Sequence, residues 1–468
     1  MRILILGGGE VGSTVAKTLA NQAGNTITII DQDESIIQSL NDILDIQTMV
    51  GNAASPMVLS QAGAADADLL LALTGNDETN LTACVLGKRM FNIPSRIARI
   101  RHGDIVEYLL DPDAEGVAKP ALSLFDVNAF ICPEQLITEQ MIELFRYNTA
   151  LQVVNFVGGM VQMVVTRVQE NADFAGKLLN ELNDILPEGI ECRVFAIYRN
   201  NSLIILSENT KLIRGDEVFL MAKKEHMHVI LPYFDPQFKP AQRIMIAGGG
   251  NIGYRLAKRA EKQFSVKIIQ RSGSRAAWLA ENLSATLVLE GLATDEKLLE
   301  QEHVGDTDVF CAFTNDDEDN IMSALLAKSY GAERVIAIVN RPSYVDLLQG
   351  NTIDIVVSPH LTTIGSILAH IRRGDIVSVH PLRRGEAEII EAVIHGTRKT
   401  SKIVGRPFSQ IQWPHGCQIT AIVRGGIFIP LDESAELEEG DHVIFFVSRR
   451  QTVHELEKML QVKVGFFG

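Results

Sequence analysis

The chain has 468 residues, 46% of them hydrophobic and 22% charged, with 43 basic against 58 acidic side chains and a formal net charge of −15. That length suits several domains, each with its own core, while the acidic balance opposes nucleic acid or an anionic lipid surface as main partner, because binders of those present a basic face. The nearest approach to a long apolar run, LQVVNFVGGMVQMVVTRV (151–168), is broken by Gln152, Asn155, Gly158, Gly159 and Gln162, so no bilayer-spanning helix is expected.

Met1 leads directly into RILIL (2–6), which reads as a buried strand rather than a secretory leader. Gly7-x-Gly9-x-x-Gly12 follows at once and opens a helix-period stretch, VGSTVAKTLANQ (11–22). Short apolar runs then alternate with helical patterns: TITII (26–30), IQTMV (46–50), DLLLAL (68–73) and RIARI (96–100), with ETNLTACVLGKRM (78–90) among the helices. This alternation predicts βαβ units and a parallel sheet covered on both faces. Pro133 opens a further helix, PEQLITEQMIELFR, where a missing N–H costs nothing. Beyond it LQVVNFV, MVQMVVTRV, ECRVFAIY, SLIILS and EVFLMA are strand-like, with only short helices between, which predicts a small α+β module.

The whole order then recurs. ILILGGGEVG (3–12) returns as IMIAGGGNIG (244–253), TGNDETN (74–80) as TNDDEDN (314–320), CRVFAIYRNNSLIILS (192–207) as CQITAIVRGGIFIPLD (417–432), and GDEVFLMA (215–222) as GDHVIFFV (440–447). Landmarks in preserved order mean that a two-module unit has been duplicated. The fold class is therefore α/β: two doubly wound Rossmann-like domains, each followed by a small α+β domain. The expected division is 1–125, a connecting helix at 126–150, 151–232, a linker at 233–240 within LPYFDPQFKP (231–240), a stretch marked by three prolines, 241–357, a second connecting helix at 358–376, and 377–464. The two connecting helices are placed either to join the modules of each unit or to pair subunits.

A lone glycine triad is weak evidence, but here each follows an apolar strand and opens a helix, the context that phosphate binding needs. The first glycine permits a tight turn, the second lets the backbone approach a pyrophosphate, and the third allows close helix–strand packing. Candidate nucleotide contacts are Gly7, Gly8, Gly9, Glu10 and Val11 in the first half and Gly248, Gly249, Gly250, Asn251 and Ile252 in the second. Asp31 ends the second strand, where a carboxylate accepts hydrogen bonds from ribose hydroxyls and repels a 2′-phosphate, favouring NAD-type or adenosine ligands. Gln270 takes its place in the second half, Leu292 replaces Asn52, and Ala337 is matched to Arg99, so three polar candidates weaken together there. Thr74, Gly75 and Asp77 border the same crevice, with Thr74 and Asp77 equally suited to capping the next helix. Arg99 and Arg101 share one strand face, from which one could reach a phosphate.

No catalytic set accompanies these loops. There is no H-E-x-x-H, G-x-S-x-G or Walker lysine, and the histidines compared do not recur between halves. Five widely spaced cysteines without C-x-x-C suggest reduced, buried thiols. An NAD-dependent oxidoreductase and a redox-sensing, NADH-binding transcriptional regulator remain the alternatives; the first lacks a proton donor beside the cofactor, and the acidic charge opposes the second.

The tandem strand–GGGxVG–Asp and β-rich modules, together with DETNLTAC, RIARIR, RIMIAGGGNIG, NDDEDNIMSALLAK, YVDLLQG and IVGRPF, resemble the RCK (KTN) regulatory domains of potassium channels and transporters, and most of all those of bacterial Trk-type uptake systems. That resemblance implies a regulatory subunit, not an enzyme. It implies a homo-oligomeric ring, a dimer or tetramer of chains, on the cytoplasmic face of the bacterial inner membrane, docked on an integral membrane potassium channel subunit. Bound NAD(H), or ATP/ADP, would alter gating. By position, the first site would use Gly7 to Val11, Asp31, Thr74, Gly75 and Arg99, and the second Gly248 to Ile252 and Gln270. Family members usually carry an acidic residue where Gln270 stands.

Overall fold

The computed structural model describes all residues except 21–23, 103–104, 106–123, 205, 342–343, 345–347, 349–352, 372–375, 383–386, 430, 432–433 and 463–468. Most of the YVDLLQG stretch, part of the segment after the second connecting helix and the expected end at 464 lie outside the described residues.

In the first half six strands build one parallel sheet: β1 (Arg2–Leu6), β2 (Thr26–Asp31), β3 (Gln47–Val50), β4 (Leu69–Ala72), β5 (Ser95–Arg99) and β6 (Ala129–Ile131), in the order β3-β2-β1-β4-β5-β6. The central strands are apolar and buried at every position except Arg2, which opens β1, with β4 buried at all four residues, as a sheet covered on both faces requires. β6 falls beyond the expected boundary at 125; three residues, AFI, are too short a run to declare a strand from pattern alone. The chain then forms an antiparallel sheet of β7 (Gln152–Phe156), β8 (Val161–Arg167), β9 (Arg193–Arg199), β10 (Ser202–Leu203) and β11 (Glu217–Lys223), ordered β10-β9-β11-β8-β7.

The second half repeats both. β12 (Arg243–Ala247), β13 (Ser265–Gln270), β14 (Leu287–Glu290), β15 (Val309–Ala312), β16 (Arg334–Ile338) and β17 (Ile355–Val357) are ordered β14-β13-β12-β15-β16-β17. β18 (Ile376–Leu382), β19 (Ala387–Val393), β20 (Cys417–Arg424), β21 (Ile427–Phe428) and β22 (His442–Val447) are ordered β18-β19-β22-β20-β21. In both parallel sheets the strand order reverses between the first and fourth strands, which opens a crevice at the strands' carboxyl ends.

The connecting helices pair the halves rather than merely spacing their modules. Helix Pro133–Arg146 lies on helix Asn251–Ala260 of the second half, and helix Pro359–Ile371 lies on helix Glu10–Ala20 of the first. Phe145 meets Phe264 edge-on at 5.6 Å, while Ile364, Ile367 and Leu368 complete the core around Ile3, Val15 and Leu19. The two antiparallel sheets also share a core, in which Phe195 approaches Phe446 to 5.5 Å beside Phe156, Met163, Leu382 and Ile389. The proline-marked segment after β11 is a packed corner: Leu231 and Phe234 are fully buried, and Phe174 stacks on Tyr233 at 5.1 Å. Apolar residues between the prolines outweigh the prolines' own signal for a loose linker. The five cysteines are unpaired, and Cys84, Cys132, Cys192 and Cys311 are buried.

Candidate nucleotide-binding clefts

The first crevice is assembled at the carboxyl ends of β1, β2, β4 and β5. Gly7 turns the chain out of β1 with φ +101°, and a β-carbon there would lie 2.9 Å from Thr74 N, so both conformation and space exclude other residues. At Gly12 a β-carbon would fall 1.9 Å from Gly7 O, which lets helix Glu10–Ala20 start directly against the strand. Nothing lies within 4 Å of where a β-carbon on Gly9 would stand. That open cradle, over bare backbone at a helix start, fits a pyrophosphate. Val11 is buried in the core, so only its backbone N–H is offered.

Asp31 is tied into the loop. Gly8 N–H donates to its Oδ2 at 2.6 Å and Asp33 N–H to its Oδ1 at 2.9 Å. Each oxygen keeps further lone-pair capacity, which suits a ribose diol. Asn52 folds onto its own turn, accepting from Ala54 N–H at 2.8 Å. Thr74 and Asp77 do not cap the following helix; Asn76 does, accepting from Thr79 N–H at 2.6 Å. Thr74 instead bonds through its hydroxyl and its N–H to Asn80 Oδ1, at 2.7 and 3.0 Å, and Gly75 leaves open space beside it. Buried Asp77 accepts from the N–H groups of Arg101 and His102, pinning the end of the fifth strand. Of the two arginines there, Arg101 approaches Glu134 at 3.3 Å. Arg99 has a buried Nε without a partner among the described residues, and burial, then the Arg101 charge, holds its guanidinium below the ordinary value.

The second crevice copies the frame with different side chains. Gly248 has φ +107°, and a β-carbon on Gly253 would again fall 1.9 Å from the first glycine's carbonyl oxygen. Gln270 Oε1 takes the place of the carboxylate, accepting from Gly249 N–H at 2.9 Å. Asn251 is exposed, and Ile252 packs partly into the core. Asn320 bonds Thr314 and Ile338 O as Asn80 bonds Thr74 and Arg99 O, so the counterpart of Arg99 is Ile338, not Ala337. The second half is one residue shorter before its fifth strand, which the sequence match places wrongly.

Against known families, residues 3–120 and 244–359 match the TrkA-N domain model, and 163–235 and 398–461 match the TrkA-C domain model. The chain belongs to the TrkA family. It is 42% identical to the Trk system potassium uptake protein TrkA of Halomonas elongata over all of both chains, and 43% identical to that of Vibrio alginolyticus over 98% of this chain and 99% of the relative. Among solved structures, the GsuK RCK domain superposes with a TM-score of 0.60 at 19% identity, covering 98% of this chain and 94% of its own, and a GsuK channel bound to NAD gives 0.60 at 19%, covering 98% and 78%. These neighbours share the fold: two TrkA-N/TrkA-C units, parallel sheets followed by antiparallel ones.

Sequence reasoning missed two kinds of residue. Asn80 carries the crevice's internal wiring, and the signal was present in the six-residue Thr-to-Asn spacing that both TGNDETN and TNDDEDN keep; Asp77 was placed at the crevice but given the wrong role, as a cap rather than an acceptor for the backbone after the fifth strand. His360, whose Nδ1 lies 3.1 Å from Glu10 Oε2, had no local signal, because it reaches the loop from the other half.

Proposed function

We propose that the chain is the nucleotide-binding regulatory subunit of a potassium uptake system, without catalytic activity of its own, acting as a homo-oligomeric ring on a membrane-embedded potassium-conducting subunit at the inner face of the membrane. The observation that carries this is the exchange of connecting helices: the helix that opens from each glycine loop is braced by the connecting helix of the other half. A nucleotide settling on one loop therefore bears on the packing of both halves. NAD(H), or ATP/ADP, would be held in the first crevice by the backbone of Gly7 to Val11, with Asp31 on the ribose and Thr74, Gly75 and Arg99 along the phosphate side. The bound group supplies charge and contact, not chemistry. It shifts the equilibrium between two arrangements only by its difference in affinity for them. The cited TrkA relatives are named as potassium uptake proteins, and a GsuK channel of this fold is described as bound to NAD, which supports the reading. Among the described residues no group of His, Cys, Asp and Glu could hold a metal ion, and no helix is long and apolar enough to cross a membrane.

The test is potassium flux in vesicles containing the membrane subunit of the same uptake system, with and without the chain and NADH. Flux that changes on adding the chain, and changes again with NADH, is expected; flux indifferent to both would overturn the reading.

A further inference from the structure

The two crevices differ most at the end of the second strand. In the first half the strand runs out through Asp31-Gln-Asp33-Glu34-Ser-Ile36, with three carboxylates and no base; in the second the same positions read Gln270-Arg271-Ser272-Gly273-Ser274-Arg275, with two arginines and no acid. Equivalence is set by the sheets, since β2 ends at Asp31 and β13 at Gln270, with helices beginning at Glu34 and Gly273. The local formal charge moves from −3 to +2.

We infer that the second crevice takes an adenine dinucleotide whose adenosine ribose carries a 2′-phosphate, while the first excludes it. The inference rests on the nucleotide reading of the second glycine loop and adds its ligand class. A 2′-phosphate against Asp31, Asp33 and Glu34 meets like charge, whereas an arginine beside this strand end accommodates one. Gln270 accepts from Gly249 N–H through Oε1, and its amide NH₂ offers the donors that Asp31 lacks. Arg271 is exposed and makes no hydrogen bond or ion pair among the described residues. Arg275 is held in place: its Nε donates to Gly249 O at 2.8 Å, and its guanidinium lies 4.0 Å from the Trp278 ring centroid and 5.9 Å from that of Tyr254. Its terminal nitrogens remain as donors of fixed position.

The helix that follows differs in the same sense. Asp33 caps it in the first half by accepting from Ser35 N–H at 2.9 Å. Ser272 gives no such cap, its hydroxyl lying instead 3.1 Å from that of Ser274. One carboxylate opposes the assignment. Glu290, on β14, lies against Gly273, where a β-carbon would be 2.7 Å from its Oε1; Val50 is the first-half counterpart. Counting it, the strand-end cluster keeps a positive balance.

Trp278 supplies a local reporter, as the chain's other tryptophan, Trp413, lies in the last module. Titrations of the full chain with NADPH and NADH, followed by the fluorescence component that Trp278→Phe removes, test the assignment. NADPH is expected to quench that component with at least about tenfold higher affinity than NADH, the margin of one charged hydrogen bond. Arg271→Glu should abolish the margin and Glu290→Gln should widen it. Equal affinities for the two nucleotides in the wild type would overturn the phosphate assignment and leave the crevice a nucleotide site. Quenching by neither, while NADH still binds the chain by calorimetry, would overturn the nucleotide reading of the second crevice as well.

Discussion

Asn80 shows how much one buried amide can organise. It has no exposed surface; its Oδ1 takes the N–H and hydroxyl of Thr74, and its Nδ2 donates to Thr74 O at 3.2 Å and Arg99 O at 2.9 Å. It joins the ends of the fourth and fifth strands across the crevice, and Asn320 does the same in the second half. Asn80→Ala strands the N–H of Thr74 and the carbonyl of Arg99, at about 1–3 kcal/mol for each unsatisfied group, so chemical unfolding of the first module should shift by about 2–6 kcal/mol. A shift within the ±0.5 kcal/mol or so typical of surface substitutions would mean that the crevice is held together some other way. The residues visible in advance, Gly7, Gly9, Gly12 and Asp31, act through backbone conformation or their place at a strand end, both of which spacing reveals. Asn80 reaches a partner nineteen positions away, to which only its repeated spacing from Thr74 points; His360 acts through a contact between the two halves that no local pattern encodes.

Among elements, the parallel sheets were legible because each buried strand is a run of apolar residues bounded by turn residues. β6 and β17 were not, since three residues pair only because a neighbouring strand stands ready. The face-to-face packing of the two antiparallel sheets was equally hidden, as alternation marks an apolar face but not its partner. That packing has a consequence with pH. His380 on β18 meets Phe156 of the other sheet edge-on at 5.5 Å, and burial pushes it down from 6.5 to about 4. The unfolded chain therefore binds a proton that the folded one refuses between those values. Stability is fully present above about pH 6.5 and is lost as pH falls toward about 4. Unfolding measured across that window should show this slope in the wild type and a shallower one in His380→Gln; identical slopes would remove His380 from the account.

At the scale of the molecule, duplication has turned what could be an association of two chains into the fold of one. Arg334 makes the point: buried at the start of β16, it donates to the carbonyls of Asn148 and Ala150 in the first half, and burial draws its guanidinium down to about 10. The repeat itself was plain in the sequence, and with it the fold class. Which helix braces which half was not, because both connecting helices look alike until the halves are seen together. Everything proposed about regulation follows from a nucleotide sitting on the first glycine loop with Asp31 at its ribose. Calorimetry of NADH on the full chain and on Asp31→Ala tests that most directly. The account predicts binding to the wild type and a loss of ~1–3 kcal/mol in the variant, the value of a charged hydrogen-bond acceptor; equal affinity in the two, or no binding to either, would contradict it.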